Sequence, residues 1–273
     1  MGDKICFVGA GNMATSLIGG MIANQYAPEQ IMACDINPSQ LDNLHQNYNI
    51  RTSSDSLTAA GDADVVMLAI KPQMMSEVCG NLSSLPNNPE QLFISIAAGV
   101  PATAIESWLG GQRSIVRCMP NTPALLQLGA SGLFANQHAS AMQKKSAEQI
   151  LSSVGITIWV AQENDLDAVT AISGSGPAYF FYFIELLEAS AIKLGLSPDT
   201  AARLARQTAL GAASMAMDQD VVKLRQQVTS KKGTTDQAIQ SFQHNDLAGL
   251  VEKATAAAKA RAEALAAELT GEK

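Results

Sequence analysis

Three small residues at a fixed spacing give the first chemical signal. Gly9, Gly11 and Ala14 form Gly-x-Gly-x-x-Ala between an apolar run, Lys4 to Val8, and a helical pattern at Leu17, Ile18, Met21 and Ile22. In that context each position serves a turn that binds phosphate. A glycine at 9 permits a tight bend, one at 11 lets a pyrophosphate approach the backbone, and an alanine at 14 keeps the helix close to the sheet. The helix start, at Asn12 and Met13, then offers unpaired N–H groups and a partial positive charge. Close strand–helix packing is the plainer use of small residues. The flanking strand and helix favour a dinucleotide.

Asp35 follows Gly11 by twenty-four residues, at the end of the apolar run Ile31 to Cys34. An acidic side chain there bonds a ribose 2′-hydroxyl, and its charge repels a 2′-phosphate, so taken alone it favours NADH over NADPH. A turn or helix-capping aspartate is the alternative. Lys71-Pro72 and Ala97-Ala98-Gly99 follow later apolar runs, at the strand ends where open α/β sheets hold ligands. Small residues at 97 and 98 leave room for ribose and nicotinamide, while Lys71 is either a proton donor or a cation facing the cofactor or solvent. Arg117 to Pro123 offers polar groups, Asn121 among them, in a loop stiffened by two prolines. Gly233-Thr234-Thr235-Asp236 reads as a helix start. Its consecutive N–H groups can hold a small carboxylate and a nearby hydroxyl can serve a basic nitrogen, or Gly233 is simply an N-cap.

These groups need a scaffold. Unalternating apolar runs at Val65–Ile70, Leu92–Ile96, Ser114–Met119 and Gly155–Val160, with helical windows between them, describe strands buried on both faces of a doubly wound, mostly parallel sheet. Beyond Gln162 strand-like runs give way to helical windows. The division expected is a Rossmann-like dinucleotide-binding domain over 1–161 and an all-helical substrate and dimerisation domain over 162–273. The helix after Ser173-Gly174-Ser175-Gly176-Pro177 is apolar on nearly every side, from Tyr179 to Leu187. About 110 residues cannot cover it, so a homo-oligomer, at least a dimer through these helices, is expected.

Composition narrows the classes. The chain has 273 residues, 47% of them apolar and 16% charged, enough for a large core. A net charge of −7 argues against nucleic acid, whose ligands usually cluster Lys and Arg. The most apolar stretch, Ala178 to Leu196, carries Glu185, Glu188 and Lys193 and reads as a buried helix rather than a bilayer span. No secretion signal is visible, so a cytoplasmic location is expected. Cys6, Cys34, Cys79 and Cys118 form no CxxC pair and read as buried reduced thiols. His45, His138 and His244 lack zinc spacing, and no metal is expected.

Taken together, six blocks resemble the pyrroline-5-carboxylate reductase family: GAGNMA at 9–14, AIKPQ at 69–73, SIAAG at 95–99, RCMPNTP at 117–123, SGSGPAY at 173–179 and GTT at 233–235. The resemblance implies reduction of 1-pyrroline-5-carboxylate to proline by NADPH or NADH, with partner subunits building the substrate pocket together. It places the dinucleotide against Gly9, Gly11, Asn12, Met13, Asp35, Ser56, Ala69, Lys71, Pro72, Ala97, Ala98 and Asn121. The substrate carboxylate falls to Ser230, Gly233 and Thr234, with Ser175 close by near the nicotinamide. The hydroxyl matching Thr235 bonds the ring nitrogen and is the expected catalytic group. Two departures stand out. Lys231 and Lys232 replace a Pro and a Gly of the usual Ser-Pro-Gly-Gly-Thr-Thr, Asp35 stands where many relatives carry a small or phosphate-tolerant residue, and Ser56 sits near where they often carry an asparagine. Another small cyclic imine or a β-hydroxyacid as substrate, or a dinucleotide-binding protein without catalysis, are the alternatives.

Overall fold

The computed structural model describes residues 2–270. Strand β1 (Ile5–Val8) runs through the glycine bend into α1 (Asn12–Ala23), and β2 (Ile31–Cys34) returns parallel to it. Then come α2 (Pro38–Tyr48), β3 (Arg51–Ser53), α3 (Ser56–Gly61), β4 (Val65–Leu68), α4 (Met75–Leu82), β5 (Leu92–Ser95), α5 (Ala102–Trp108) and β6 (Ser114–Met119). Strand β7 (Gly129–Ala135), α6 (Ala141–Leu151), β8 (Gly155–Trp159) and α7 (Asp165–Val169) complete the sheet region. Four helices follow before the last: α8 (Gly176–Lys193), α9 (Pro198–Ala216), α10 (Val221–Gln227) and α11 (Thr234–His244). Helix α12 is Leu247–Thr270.

The eight strands form one sheet in the order β3-β2-β1-β4-β5-β6-β7-β8. Every neighbour pair is parallel except β6 and β7, so the last two strands run against the other six. All residues of β1, β4 and β5 are buried. Because side chains alternate along a strand, β1 feeds two cores. Ile5 and Phe7 join Leu17, Ile18 and Met21 of α1 on one face, whereas Cys6 and Val8 join Val66, Leu68 and Met75 on the other. Order reverses between β1 and β4, and ligands sit at such a switch point.

Two compact units divide the chain. One extends to Ser175 and takes the chain up again from Ala258; the other is Gly176–Ala257. The change of composition near Gln162 and the change of packing at Ser175 do not coincide, because α7 and the π-helical turn Thr170–Gly174 are helical yet packed in the first unit. Leu166 and Ala171 are buried there, and a Cβ on Gly132 of β7 would lie 2.7 Å from Val169 Cγ1. Within the second unit Phe183 and Phe242 meet at 6.5 Å between ring centroids. Little else there is buried: Phe180, Phe181 and Tyr182 of α8 are 70%, 65% and 60% exposed.

Candidate functional site

Gly9 takes φ +104°, and a Cβ there would meet the Ala69 carbonyl oxygen at 2.3 Å. Only glycine fits, because the bend crosses directly over the end of β4. Gly11 differs: a Cβ on it would meet nothing within 4 Å. It caps α1 without a side-chain hydrogen bond, and no acidic residue occupies the first turn. The bend therefore opens on free space, with an uncapped helix start beside it.

That space is a cavity of about 420 Å³ at the carboxyl ends of β1, β2 and β4. Gly9, Gly11, Asp35, Ser56, Ala69 and Lys71, all predicted from sequence, line it, together with Cys34, Ile36, Asn37, Gln40 and Ser54. Asn12, Met13, Pro72, Ala97, Ala98 and Asn121 are not part of its wall. Asn12 and Met13 open α1 at its rim, and Pro72 follows Lys71 in a short 3₁₀ turn, Pro72–Met74. Ala97 is buried at the end of β5, its N–H donating to Ser95 Oγ at 3.3 Å. The residues present fit a dinucleotide: room for a pyrophosphate at Gly11, unpaired helix N–H groups, and polar side chains on both flanks.

The second group of predicted residues lies in the other unit, except Ser175, which ends the first stretch of the sheet unit. Gly233 caps α11 without a side-chain bond, and its own N–H turns back to the Ser230 carbonyl at 2.8 Å. Thr234 and Thr235 form the first helical residues, and both are exposed. Asp236, the acid of that turn, accepts the Lys232 N–H at 2.8 Å. Lys232 holds φ +64°, the left-handed conformation that the glycine of the usual motif adopts readily. The lysine therefore occupies the turn with the backbone bent as a glycine would bend it. Ser175 closes the π-helical turn before α8, its N–H donating to the Thr170 carbonyl at 2.8 Å.

All four cysteines are free and buried. Burial pushes the Cys79 and Cys118 thiols up to about 12. Cys6 and Cys34 lie with their sulfurs 3.9 Å apart, and the shared hydrogen bond raises Cys6 and lowers Cys34. Among the described residues no three His, Cys, Asp or Glu side chains gather as a metal ion needs, and no helix is long and apolar enough to cross a membrane.

Comparison with known proteins decides the family. Residues 163–265 match the family description "Pyrroline-5-carboxylate reductase dimerisation", and residues 4–99 match "NADP oxidoreductase coenzyme F420-dependent". The chain is 51% identical over 268 residues to the pyrroline-5-carboxylate reductase of Pseudomonas aeruginosa, covering 97% of this chain and 98% of that protein. The chain belongs to the pyrroline-5-carboxylate reductase family. Among solved structures, a pyrroline-5-carboxylate reductase from Coxiella burnetii superposes with a TM-score of 0.93 at 44% identity, over 97% of this chain and 99% of that one. A Plasmodium falciparum pyrroline carboxylate reductase, solved with NADP bound, gives 0.84 at 30% identity, over 97% and 98%.

Within this pyrroline-5-carboxylate reductase fold the structure adds residues that the sequence did not single out as a site. Arg117, inside β6 and 10% exposed in its side chain, pairs with Glu163 at 2.8 Å. The same Glu163 oxygen accepts the Ala102 N–H at 2.6 Å, capping α5 just beyond the 95–99 block. Arg117 Nε is buried without a partner. Asp167 is close enough to feel Arg117, although burial is the larger influence and raises its carboxyl. A charged residue inside the run Ser-Ile-Val-Arg-Cys-Met is itself a signal, since a buried guanidinium needs an acid. Asn121 is likewise committed to the scaffold: its Nδ2 donates to the Ser173 carbonyl at 3.0 Å and its Oδ1 accepts the Ala130 N–H at 2.9 Å. It fixes the start of the 173–179 block from beneath.

Proposed function

We propose that this chain reduces 1-pyrroline-5-carboxylate to L-proline with NADH or NADPH, the final step of proline biosynthesis, as a cytoplasmic homodimer. Residues 1–161 hold the dinucleotide and residues 162–273 hold the substrate and the partner copy. Support for the roles comes from one observation above the others: an uncapped helix start at Gly233, with the exposed Thr235 hydroxyl in its first turn.

Reduced nicotinamide supplies the hydride. The chain's own groups bind and orient. Gly9 and Gly11 shape the pyrophosphate turn, and the N–H groups opening α1 at Asn12 and Met13 offset its charge. Ser56, Ala69, Lys71 and Pro72 border the nucleotide, while Ala97, Ala98 and Asn121 keep the nicotinamide end narrow. Ser230, Gly233 and Thr234 hold the substrate carboxylate through backbone N–H groups and a hydroxyl, with Ser175 alongside. Thr235 Oγ1 hydrogen-bonds the ring nitrogen, which takes its proton from solvent, so that no negative charge is left there as the C=N carbon accepts hydride. No acid–base dyad is required. Most of the acceleration comes from holding two rings in register, which is a positional effect.

Lys231 and Lys232 favour one second reading, another small cyclic imine, because they add positive charge to the loop that takes the carboxylate. Steady-state reduction of pyrroline-5-carboxylate, measured beside a six-membered imine carboxylate with each cofactor, separates the two. Faster turnover of the five-membered ring is expected. A preference for the larger ring overturns the assignment of substrate.

A further inference from the structure

Two buried arginines stand four residues apart, one just before β6 and one inside it, and they are satisfied in opposite ways. Arg113 gives its guanidinium to three backbone carbonyls, those of Leu85 at 2.7 Å, Pro86 at 2.9 Å and Leu109 at 3.4 Å, and lies 5.8 Å from the centre of the Phe93 ring. Scaffold alone holds it. Arg117 bonds the single acid Glu163, and its Nε has no partner among the described residues. A buried ion pair left part-satisfied contributes little net stability, because the desolvation of two charges offsets their attraction. Its effect lies in what the pair joins.

Four contacts seat the segment 163–175 on the sheet. A Cβ on Gly132 of β7 would lie 2.7 Å from Val169 Cγ1, and one on Gly174 would lie 2.6 Å from Met119 Cε. Asn121 donates to the Ser173 carbonyl, and Arg117 donates to Glu163. Only the last of the four reaches further. The Glu163 oxygen that accepts from Arg117 also accepts the Ala102 N–H, so one atom ties this segment to the turn that follows Ala97 and Ala98. Arg117 itself stands beside Ser95, its register partner across β5 and β6, whose Oγ accepts the Ala97 N–H. The pair thus fixes two segments against each other: 97–102 beyond β5, and 170–175 ahead of α8.

We propose that the Arg117–Glu163 pair positions the two reacting rings for hydride transfer, setting the spacing between the 97–102 segment at the nicotinamide end and the 170–175 segment that brings Ser175 to the imine. The proposal deepens the reductase reading of the site and rests on it. Both are positioning residues, acting through the segments they tie. A misplacement of about 1 Å can cost on the order of a hundredfold in rate, so a strut of this kind shows itself in kcat before it shows in affinity.

The test compares the full-length wild type, Arg117→Met/Glu163→Gln and Arg113→Lys by kcat, KM, dinucleotide Kd and Tm. The deuterium isotope effect on kcat is read with nicotinamide labelled at the transferred position. The double variant removes both charges but leaves an acceptor for Ala102, and its Tm should stay within about 5 °C of the parent. Its kcat should fall about tenfold or more, with imine KM and dinucleotide Kd within about threefold, and the isotope effect should grow as hydride transfer becomes the slow step. Arg113→Lys should lower Tm and leave kcat within about twofold. Parental kcat and isotope effect in the double variant overturn the proposal, as does an equal loss of kcat in Arg113→Lys, since the effect would then be one of stability. If the double variant fails to fold, Glu163→Asp keeps the charge and shortens the tie by one methylene. Its kcat should fall about threefold or more, and an unaltered kcat overturns the proposal. A wild-type chain that binds dinucleotide without reducing the imine faults the substrate reading alone. The strut is then judged by amide hydrogen exchange in the double variant, where faster exchange in both 97–102 and 170–175 supports it and an unchanged rate in either overturns it.

Discussion

The sheet unit and the helical unit solve the problem of apolar surface differently. In the first, β1, β4 and β5 have no exposed residue, and the helices on both faces contribute Leu17, Ile18 and Met75 to closed cores. In the second, α8 buries only Gly176, while α10 and α11 bury nothing. A helix apolar on all sides has to be covered by something, and residues 163–265 match a dimerisation family. The contrast teaches that one unit is finished by its own chain and the other by a second copy.

The most damaging way to probe this contrast is a charge in the uncovered face. Phe181→Asp should give a monomer in light scattering at micromolar concentration and lower activity about a hundredfold or more, since each buried phenylalanine contributes about 1.5–3 kcal/mol and an unpaired carboxylate costs further. Met142→Asp, at a position even more exposed but on α6 of the sheet unit, should leave the mass unchanged. If both variants dissociate, or neither does, the contrast between the units is broken. Next in size is the glycine bend. Gly9→Ala should lose about 3 kcal/mol in denaturant unfolding, from the +104° backbone and the close Ala69 carbonyl. Gly11→Ala should fold within about 0.5 kcal/mol of the parent, yet bind dinucleotide about tenfold more weakly. Equal losses of stability in the two would contradict the open space found at Gly11.

Smaller effects sharpen the division of labour. Thr235→Ala should lower kcat about tenfold or more with dinucleotide affinity unmoved, because the hydroxyl serves the imine and not the nucleotide. Unaltered kinetics would remove Thr235 from the reaction. Lys232→Gly should raise stability by about 0.5–1 kcal/mol as the left-handed strain goes, read as a rise of a few degrees in Tm. A fall in Tm would mean that the lysine side chain contributes more than its backbone costs.

Much of this was legible in the sequence because the signals are local. The glycine bend, the buried parallel strands and the proline in the first turn of α8 each lie within a few consecutive residues. Strand β3, Arg-Thr-Ser, has no apolar run, and β7 spreads its apolar residues among Gly129, Ser131 and Gly132. Their strand character comes from neighbours: β3 pairs with β2, and β7 is held between β6 and β8. Glycine at 132 reflects contact with Val169, which no period reveals. The candidate site divides in the same way. Gly11 and Gly233 declare themselves by what precedes and follows them. The partners of Asp35 and Arg117 do not, since Ala10 lies twenty-five positions from one and Glu163 forty-six from the other. The backbone around Lys232 was open too: sequence identified the substituted glycine, and only the fold shows that the lysine adopts its conformation.

The burial of the four thiols has a practical consequence. Of the four, only Cys34 borders the cavity at the ends of β1, β2 and β4, and its hydrogen bond with Cys6 keeps it readier to ionise than the other three. A small alkylating reagent should mark that sulfur first, and an adenosine lying over it should slow the marking. Slower marking of Cys34 on addition of NAD⁺ or NADP⁺, read by mass spectrometry, would report nucleotide in that cavity without a single engineered residue.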